Sequence, residues 1–187
     1  MDTTEFLDLT QVTIQVIDAT TPTALVWEGI WRTGSISADE TSPPFLNELV
    51  FSESNGGHTG ISQGGRVRPT VTFETQADQF FGTVSVGTLH DMLCRTSGSE
   101  FETATYVDAN TLVPNYNLLI KWDRAANSDI KSMAYEGCTF NIGGAMDDKM
   151  LESIVATCHG RVFRDGKLYA RDRRETDTAV PTWANPS

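Results

Sequence analysis

Apolar residues recur at every second position along much of this chain, the spacing of strands with one buried face. Val12, Ile14 and Val16 alternate with Thr13, Gln15 and Ile17. Leu25 to Trp31 is a second such segment, and Thr20-Thr-Pro-Thr23 between them reads as a turn with Pro22 setting φ. The two predict a β-hairpin. Val67, Pro69, Val71 and Phe73 alternate with Arg68, Thr70, Thr72 and Glu74, and Pro69 marks a strand start or edge. Tyr116, Leu118, Ile120 and Trp122 share one side of a further strand. Cys138, Phe140 and Ile142 share a face in Met133–Ile142, which Gly143-Gly144 breaks. The longest run, Leu151–Phe163, sets Ile154, Ala156, Cys158 and Val162 against Val155, Thr157, His159, Arg161 and Phe163.

Helical spacing is confined to Thr88–Arg95, where Leu89, Met92 and Leu93 fall at i, i+3 and i+4. Thr88 can cap its start, and Ser97-Gly-Ser99 ends it with a glycine free to turn left-handed. Phe80–Val86 reads equally as strand or loop. Residues 33–69 are rich in Gly, Ser, Pro and Asn, with Ser42-Pro-Pro44, Asn55-Gly-Gly57 and Gln63-Gly-Gly65. Within them, Phe45–Phe51 fits a short strand or a helical turn. A long irregular excursion in a compact domain is usually functional or mobile. The end, from about 166, reads as a polar tail or a short final strand at Lys167–Ala170. The sum is seven or eight strands, one short flanking helix and one long loop. That predicts a mainly β fold, a β-sandwich or barrel with the helix at its side.

A chain of 187 residues, 39% hydrophobic, is long enough for one domain over 1–187 that folds without disulfides or a metal. Its net charge of −11 argues against a surface that neutralises phosphates or anionic lipid. The charge is uneven. Residues 1–60 hold nine acidic residues and one basic residue, Arg32, whereas 161–187 hold six basic and four acidic. That asymmetry suits head-to-tail self-association. Cys94, Cys138 and Cys158 are an odd number without a close pair, which predicts free thiols on apolar stripes and a reducing compartment. No apolar stretch reaches the ~20 residues of a membrane span, and the acidic start, Met1 to Glu5, predicts no secretory signal.

The spacings that carry chemistry are missing. Neighbours Cys158 and His159 point to opposite faces of a strand, and no C-x-x-C or H-x-x-x-H occurs. Gly82-Thr-Val-Ser-Val-Gly87 lacks the glycine spacing and the strand-to-helix context of a serine elbow. No Gly-Lys-Ser/Thr follows the glycines at 56–57, 60 and 64–65. Asp39-Glu40 and Asp147-Asp148 sit in polar stretches without EF-hand spacing or aromatic platforms. Trp27 and Trp31 lie on one side of their strand, as core or as interface.

The order of elements resembles that of the tail tube (major tail) proteins of long-tailed bacteriophages. The resemblance spans about residues 10–165. It is carried by the hairpin at 11–31, the Gly/Ser-rich excursion, a strand and a helix, and the closing strands. Among these, Tyr135-Glu-Gly-Cys-Thr-Phe-Asn-Ile142 followed by Met150–Gly160 is the most suggestive. The resemblance implies a structural protein with no enzymatic activity and no cofactor. It implies six copies closing into a ring, rings stacking into a tube, and DNA passing through an acidic lumen without specific binding. Partners would be further copies, together with tape measure, terminator or sheath proteins, in a virion tail assembled in the host cytoplasm. On this reading Glu28, Glu74, Asp123, Glu136 and Glu152 are candidate lumen acids. The loop carrying Asn55, Gly56, Gly57, Gly64 and Gly65 bridges subunits. Two other classes of function stay open from the sequence: another β-rich virion or secretion-tube component, such as a tail-completion or baseplate protein, and a monomeric enzyme or carbohydrate-binding module.

Overall fold

The computed structural model describes residues 12–18, 25–31, 36–39, 45–51, 58–66, 68–76, 88–102, 116–122, 130–143, 151–171 and 176–185. These residues form eleven strands and one α-helix. The strands are β1 (Val12–Ile17), β2 (Val26–Trp31), β3 (Ile36–Asp39), β4 (Phe45–Phe51), β5 (His58–Arg66), β6 (Thr70–Gln76), β7 (Tyr116–Trp122), β8 (Lys131–Gly143), β9 (Leu151–Cys158), β10 (Val162–Arg164) and β11 (Lys167–Ala170). The helix, α1, is Leu89–Cys94, and a 3-10 turn covers Thr182–Ala184. No helix among the described residues is long and apolar enough to cross a membrane.

The mainly β fold expected from the alternation is the fold observed. Nine strands make one antiparallel sheet in the order β2-β1-β7-β8-β9-β6-β3, with β10 branching from β8 and carrying β11. The hairpin at 11–31 pairs Val12 with Trp31 through Ile17 with Val26. The sheet curls until β2 approaches β6. One core therefore lies against its inner face. It takes Val12, Ile14 and Val16 from β1, Trp27 from β2, and Val71 and Phe73 from β6. Tyr116, Leu118 and Ile120 of β7 join it with Tyr135 and Cys138 of β8 and Ile154, Ala156 and Cys158 of β9. The indole of Trp27 lies across Gly29, the next residue on the same face, where a side chain would overlap the ring.

Helix α1 docks on this core through Leu89 and Met92, both fully buried. Thr88 caps it as the sequence predicts. Its hydroxyl accepts from the Asp91 N–H, and its own N–H donates back to the Asp91 carboxylate, a reciprocal capping box. The end differs from expectation. Arg95, at φ 53°, takes the left-handed position, and Gly98, at φ 83°, serves a later turn. Tyr116 satisfies one open carbonyl of the short helix, its hydroxyl donating to Met92 O at 2.7 Å.

The described residues within 33–69 form three strands. β3 extends the main sheet by pairing with β6, and β4 and β5 form a separate two-stranded sheet. The β4–β5 register slips where Gly64 and Gly65 fall, since Phe45 pairs with Arg66 but Asn47 with Gln63. Glycine tolerates such a bulge because it has no Cβ. Asn55, Gly56 and Gly57 lie outside the described residues, as do the turn at 20–23 and the segment 80–86.

Candidate functional site

The distinctive local geometry is a bulge in β8. Leu118 pairs with Tyr135 and Tyr116 with Cys138, so β8 spends one residue more than β7 over the same stretch. Gly137 accommodates the extra residue at φ 64°, and its N–H, turned out of the ladder, donates to Asn117 Oδ1 at 3.1 Å. The bulge is also a branch point. Before it, β8 pairs with β10 (Tyr135 with Val162, Met133 with Arg164), and after it with β9 (Cys138 with Cys158). Residues 159–161 cross the gap. Gly160 N donates to Glu136 O at 2.8 Å, and Glu136 N to Arg161 O at 2.9 Å. A Cβ on Gly160 would stand 2.7 Å from Glu136 O, so the crossing is closed to any residue but glycine.

Arg161 sits over this branch point, 8% exposed. Its guanidinium grips the Glu136 carboxylate bidentately, Nε and Nη2 each 2.7 Å from an oxygen, and its own N–H reaches the same carboxylate at 3.1 Å. The remaining arm, Nη1, turns to the C-terminal segment. It bonds the carbonyls of Asp177 and Ala179 at 3.3 and 3.1 Å and the Asp177 carboxylate at 3.1 Å. The Phe163 ring lies 5.3 Å beneath the guanidinium. Phe163 in turn meets Trp183 edge-on at 6.1 Å, with Ala184 fully buried beside it. A second, smaller cluster results on the outer face of the sheet, from Ile17, Leu119, Ala134, Phe163 and Ala184. A buried cation fully engaged by two carboxylates and two carbonyls is a fastening, not a reactive group.

The alternation of the strands sets three of the sequence-predicted acids, Glu28, Glu74 and Glu136, on this same outer face. Glu28 follows the inward Trp27, is exposed and accepts from Gln15 Nε2. Glu74 follows the inward Phe73, is half-buried and pairs in register with Ser153. Glu136 is the partner of Arg161, so its charge is compensated within the chain. Glu152 lies on β9 in register with Thr75, and Asp123 lies outside the described residues.

Arg161 is the residue that sequence reasoning missed. Its signals were the glycine before it and Asp165-Gly166 just after. With φ values of 49° and 67° these two make the tight hairpin turn joining β10 to β11. Asp165 also accepts from Ser132 N at 3.0 Å and stands 3.6 Å from Lys131 Nζ. The cysteines divide. Cys138 and Cys158 are buried as expected, whereas Cys94, expected on an apolar stripe, is exposed and stands 3.5 Å from His90 Nε2, one helical turn away. His159 stands 2.9 Å from Thr139 Oγ1 across the β8–β9 ladder. Among the described residues no group of three or more His, Cys, Asp or Glu side chains is placed to hold a metal.

The architecture has counterparts among solved structures. It is similar to the sheath/tube terminator of the extracellular contractile injection system PVC in its extended state. The TM-score is 0.51 at 12% identity, over 87% of this chain and 99% of that one. It is also similar to the sheath-tube complex of the same system (TM-score 0.49, 11% identity, 86% of this chain and 92% of that). The tube-terminating cap of the anti-feeding prophage gives 0.48 at 10% identity, over 88% of this chain and 93% of that. No protein-family model and no curated protein matches the sequence. The fold is therefore one found in a sheath/tube terminator of a contractile injection system.

Proposed function

We propose that this chain is a structural, non-enzymatic subunit of a phage tail or tail-like injection particle. It assembles with itself into six-membered rings that stack along a tube, in contact with other tail proteins. The observation that carries this reading is the shared architecture over nearly the whole of both chains, at a TM-score above one half, with a sheath/tube terminator. The sheet supplies a means of assembly. Its terminal strands β2 and β3 each pair on one side only among the described residues, and an open edge is a template for a strand from another copy. The β4–β5 hairpin fits an arm that lies on a neighbour, because a two-stranded sheet standing alone is marginal in water. Glu28 and Glu74, on the outer face, remain the acids suited to a wall that repels nucleic acid, Glu136 being neutralised by Arg161. Free passage of DNA along that wall belongs to the same proposal.

A second reading follows from the identity of that counterpart. A terminator closes a tube and stops growing, whereas a tube subunit adds copies without limit. Sedimentation velocity of the purified protein over a wide concentration range distinguishes them. Species that lengthen continuously with concentration identify a tube subunit, and a plateau at one ring identifies a terminator. A single 20.5 kDa species throughout removes both readings.

A further inference from the structure

Cys138 and Cys158 are twenty residues apart in sequence but directly opposite in the β8–β9 ladder. The hydrogen bonds around them define which kind of opposed pair they are. His159 N donates to Gly137 O at 3.0 Å, one position along the ladder, while Cys158 N turns away from β8 to donate to Pro69 O at 2.9 Å. The cysteines thus occupy a non-hydrogen-bonded pair, in which Cα atoms approach to about 4.5 Å. That spacing falls at the short end of the range of roughly 4.4–6.8 Å that a disulfide spans. Both side chains belong to the inner core cluster, so they lie on the same side of the sheet. Their sulfurs also converge on the bulge. The Cys138 thiol donates to Tyr135 O at 3.5 Å, and the Cys158 thiol to Glu136 O, the next carbonyl along, at 3.4 Å.

We infer that Cys138 and Cys158 are a redox-active pair that closes to an intrachain disulfide when the protein meets an oxidising medium. The oxidant is a low-molecular-weight disulfide. One cysteine, as thiolate, attacks a sulfur of that disulfide and displaces one thiol, leaving a mixed disulfide. The second thiolate attacks the protein-borne sulfur, the new S–S bond forms and the second small thiol leaves. The two cysteines lose two electrons and two protons, and the oxidant gains them as two thiols. In a reducing compartment the pair stays open, as two thiols not joined by a disulfide. Closure ties β8 to β9 beside Gly137, at the branch point that the Arg161–Glu136 pair already fastens. The loop it closes contains the whole β8–β9 connection. Burial keeps both thiols from direct attack, so closure is slow in the native protein and is accelerated by conditions that open the sheet locally.

The test uses the full chain with Cys94→Ser, which removes the exposed thiol and leaves the core untouched. The folded protein is incubated with oxidised glutathione, blocked with an alkylating reagent in denaturant, and digested without reduction. The expected result is a peptide pair joined through Cys138 and Cys158 and the loss of both alkylation sites. The melting midpoint should rise by roughly 5–10 °C and fall back on adding reductant. Full alkylation of both cysteines after prolonged incubation overturns the inference. So does stable glutathione carried on either sulfur, or a linked chain that melts below the reduced one. The readout depends on neither assembly nor any tail function, so failure here leaves the structural proposal standing, and the reverse.

Discussion

Arg161 ties three separate parts of the fold together through one side chain. It joins the bulge of β8 to the segment 176–185 through two carboxylates and two carbonyls, with its side chain 10% exposed. Replacing it with methionine keeps most of the packing on Phe163 but strands the Glu136 carboxylate, itself only 24% exposed. We expect Arg161→Met to lose about 3 kcal/mol, the lower end for breaking a buried pair because Glu136 retains some water. Urea unfolding measures it. Arg161→Lys should recover only a fraction, because an ammonium cannot form the two-pronged bond. Limited proteolysis of Arg161→Met should cut first within 171–187, where the fastening is lost. Little of this was legible in the sequence. Alternation put Arg161 on a strand face beside His159 and Phe163, but the partner acid lies twenty-five residues away, and one extra residue at Gly137 decides which carboxylate it meets. Neither the bulge nor the pairing has a local signature beyond the glycines at 137 and 160.

At the scale of elements, α1 is the clearest case of local sequence setting local structure. Six residues cannot hold a helix by propensity alone, so the cap and the two buried side chains carry it. Thr88→Ala should cost about 1 kcal/mol, read from denaturant unfolding. The cap also titrates. Partial burial pushes the Asp91 carboxyl up, but hydrogen bonds from the Thr88 hydroxyl and N–H and from the Thr96 side chain, with the charge of nearby His90, together outweigh it and the net pKa lies below the ordinary 3.8. A carboxyl depressed by folding contributes stability that is full above its unfolded value and is lost as pH falls through the folded one. The stability difference between the native chain and Asp91→Asn should therefore be constant above about pH 5 and shrink below pH 3.8, as unfolding midpoints across that range would report. Strand alternation located β1, β2, β6, β7, β8 and β9, because each has one face on a large core that demands the pattern. β3 and β5 escaped because they lie in a Gly- and Pro-rich stretch, whereas β4 coincides with Phe45–Phe51, which the sequence left open between a strand and a helical turn. β10 escaped because a run from Leu151 to Phe163 conceals the break at Gly160, where the chain leaves β9 and returns as β10, whereas β11 falls on the short final strand that the sequence offered at Lys167–Ala170.

For the whole molecule, the unequal charge of the two ends and the open strands of the sheet point the same way, towards contact between copies. Among the described residues the β4–β5 hairpin has no ladder to the main sheet, so removing residues 52–65 should leave the main sheet folded while abolishing polymerisation. Circular dichroism and light scattering on the same sample would show a preserved β signal and a monomer. A deletion that still polymerises would remove the arm from the account. The alternation made the mainly β class legible. Of assembly, only the uneven charge was legible in the sequence, since an open edge is a property of the finished sheet. The claim that governs the rest is self-assembly through the sheet. Electron microscopy of the concentrated full chain tests it most directly. The account predicts rings with sixfold symmetry, alone or stacked into tubes, and a field of isolated single subunits at millimolar concentration would contradict it.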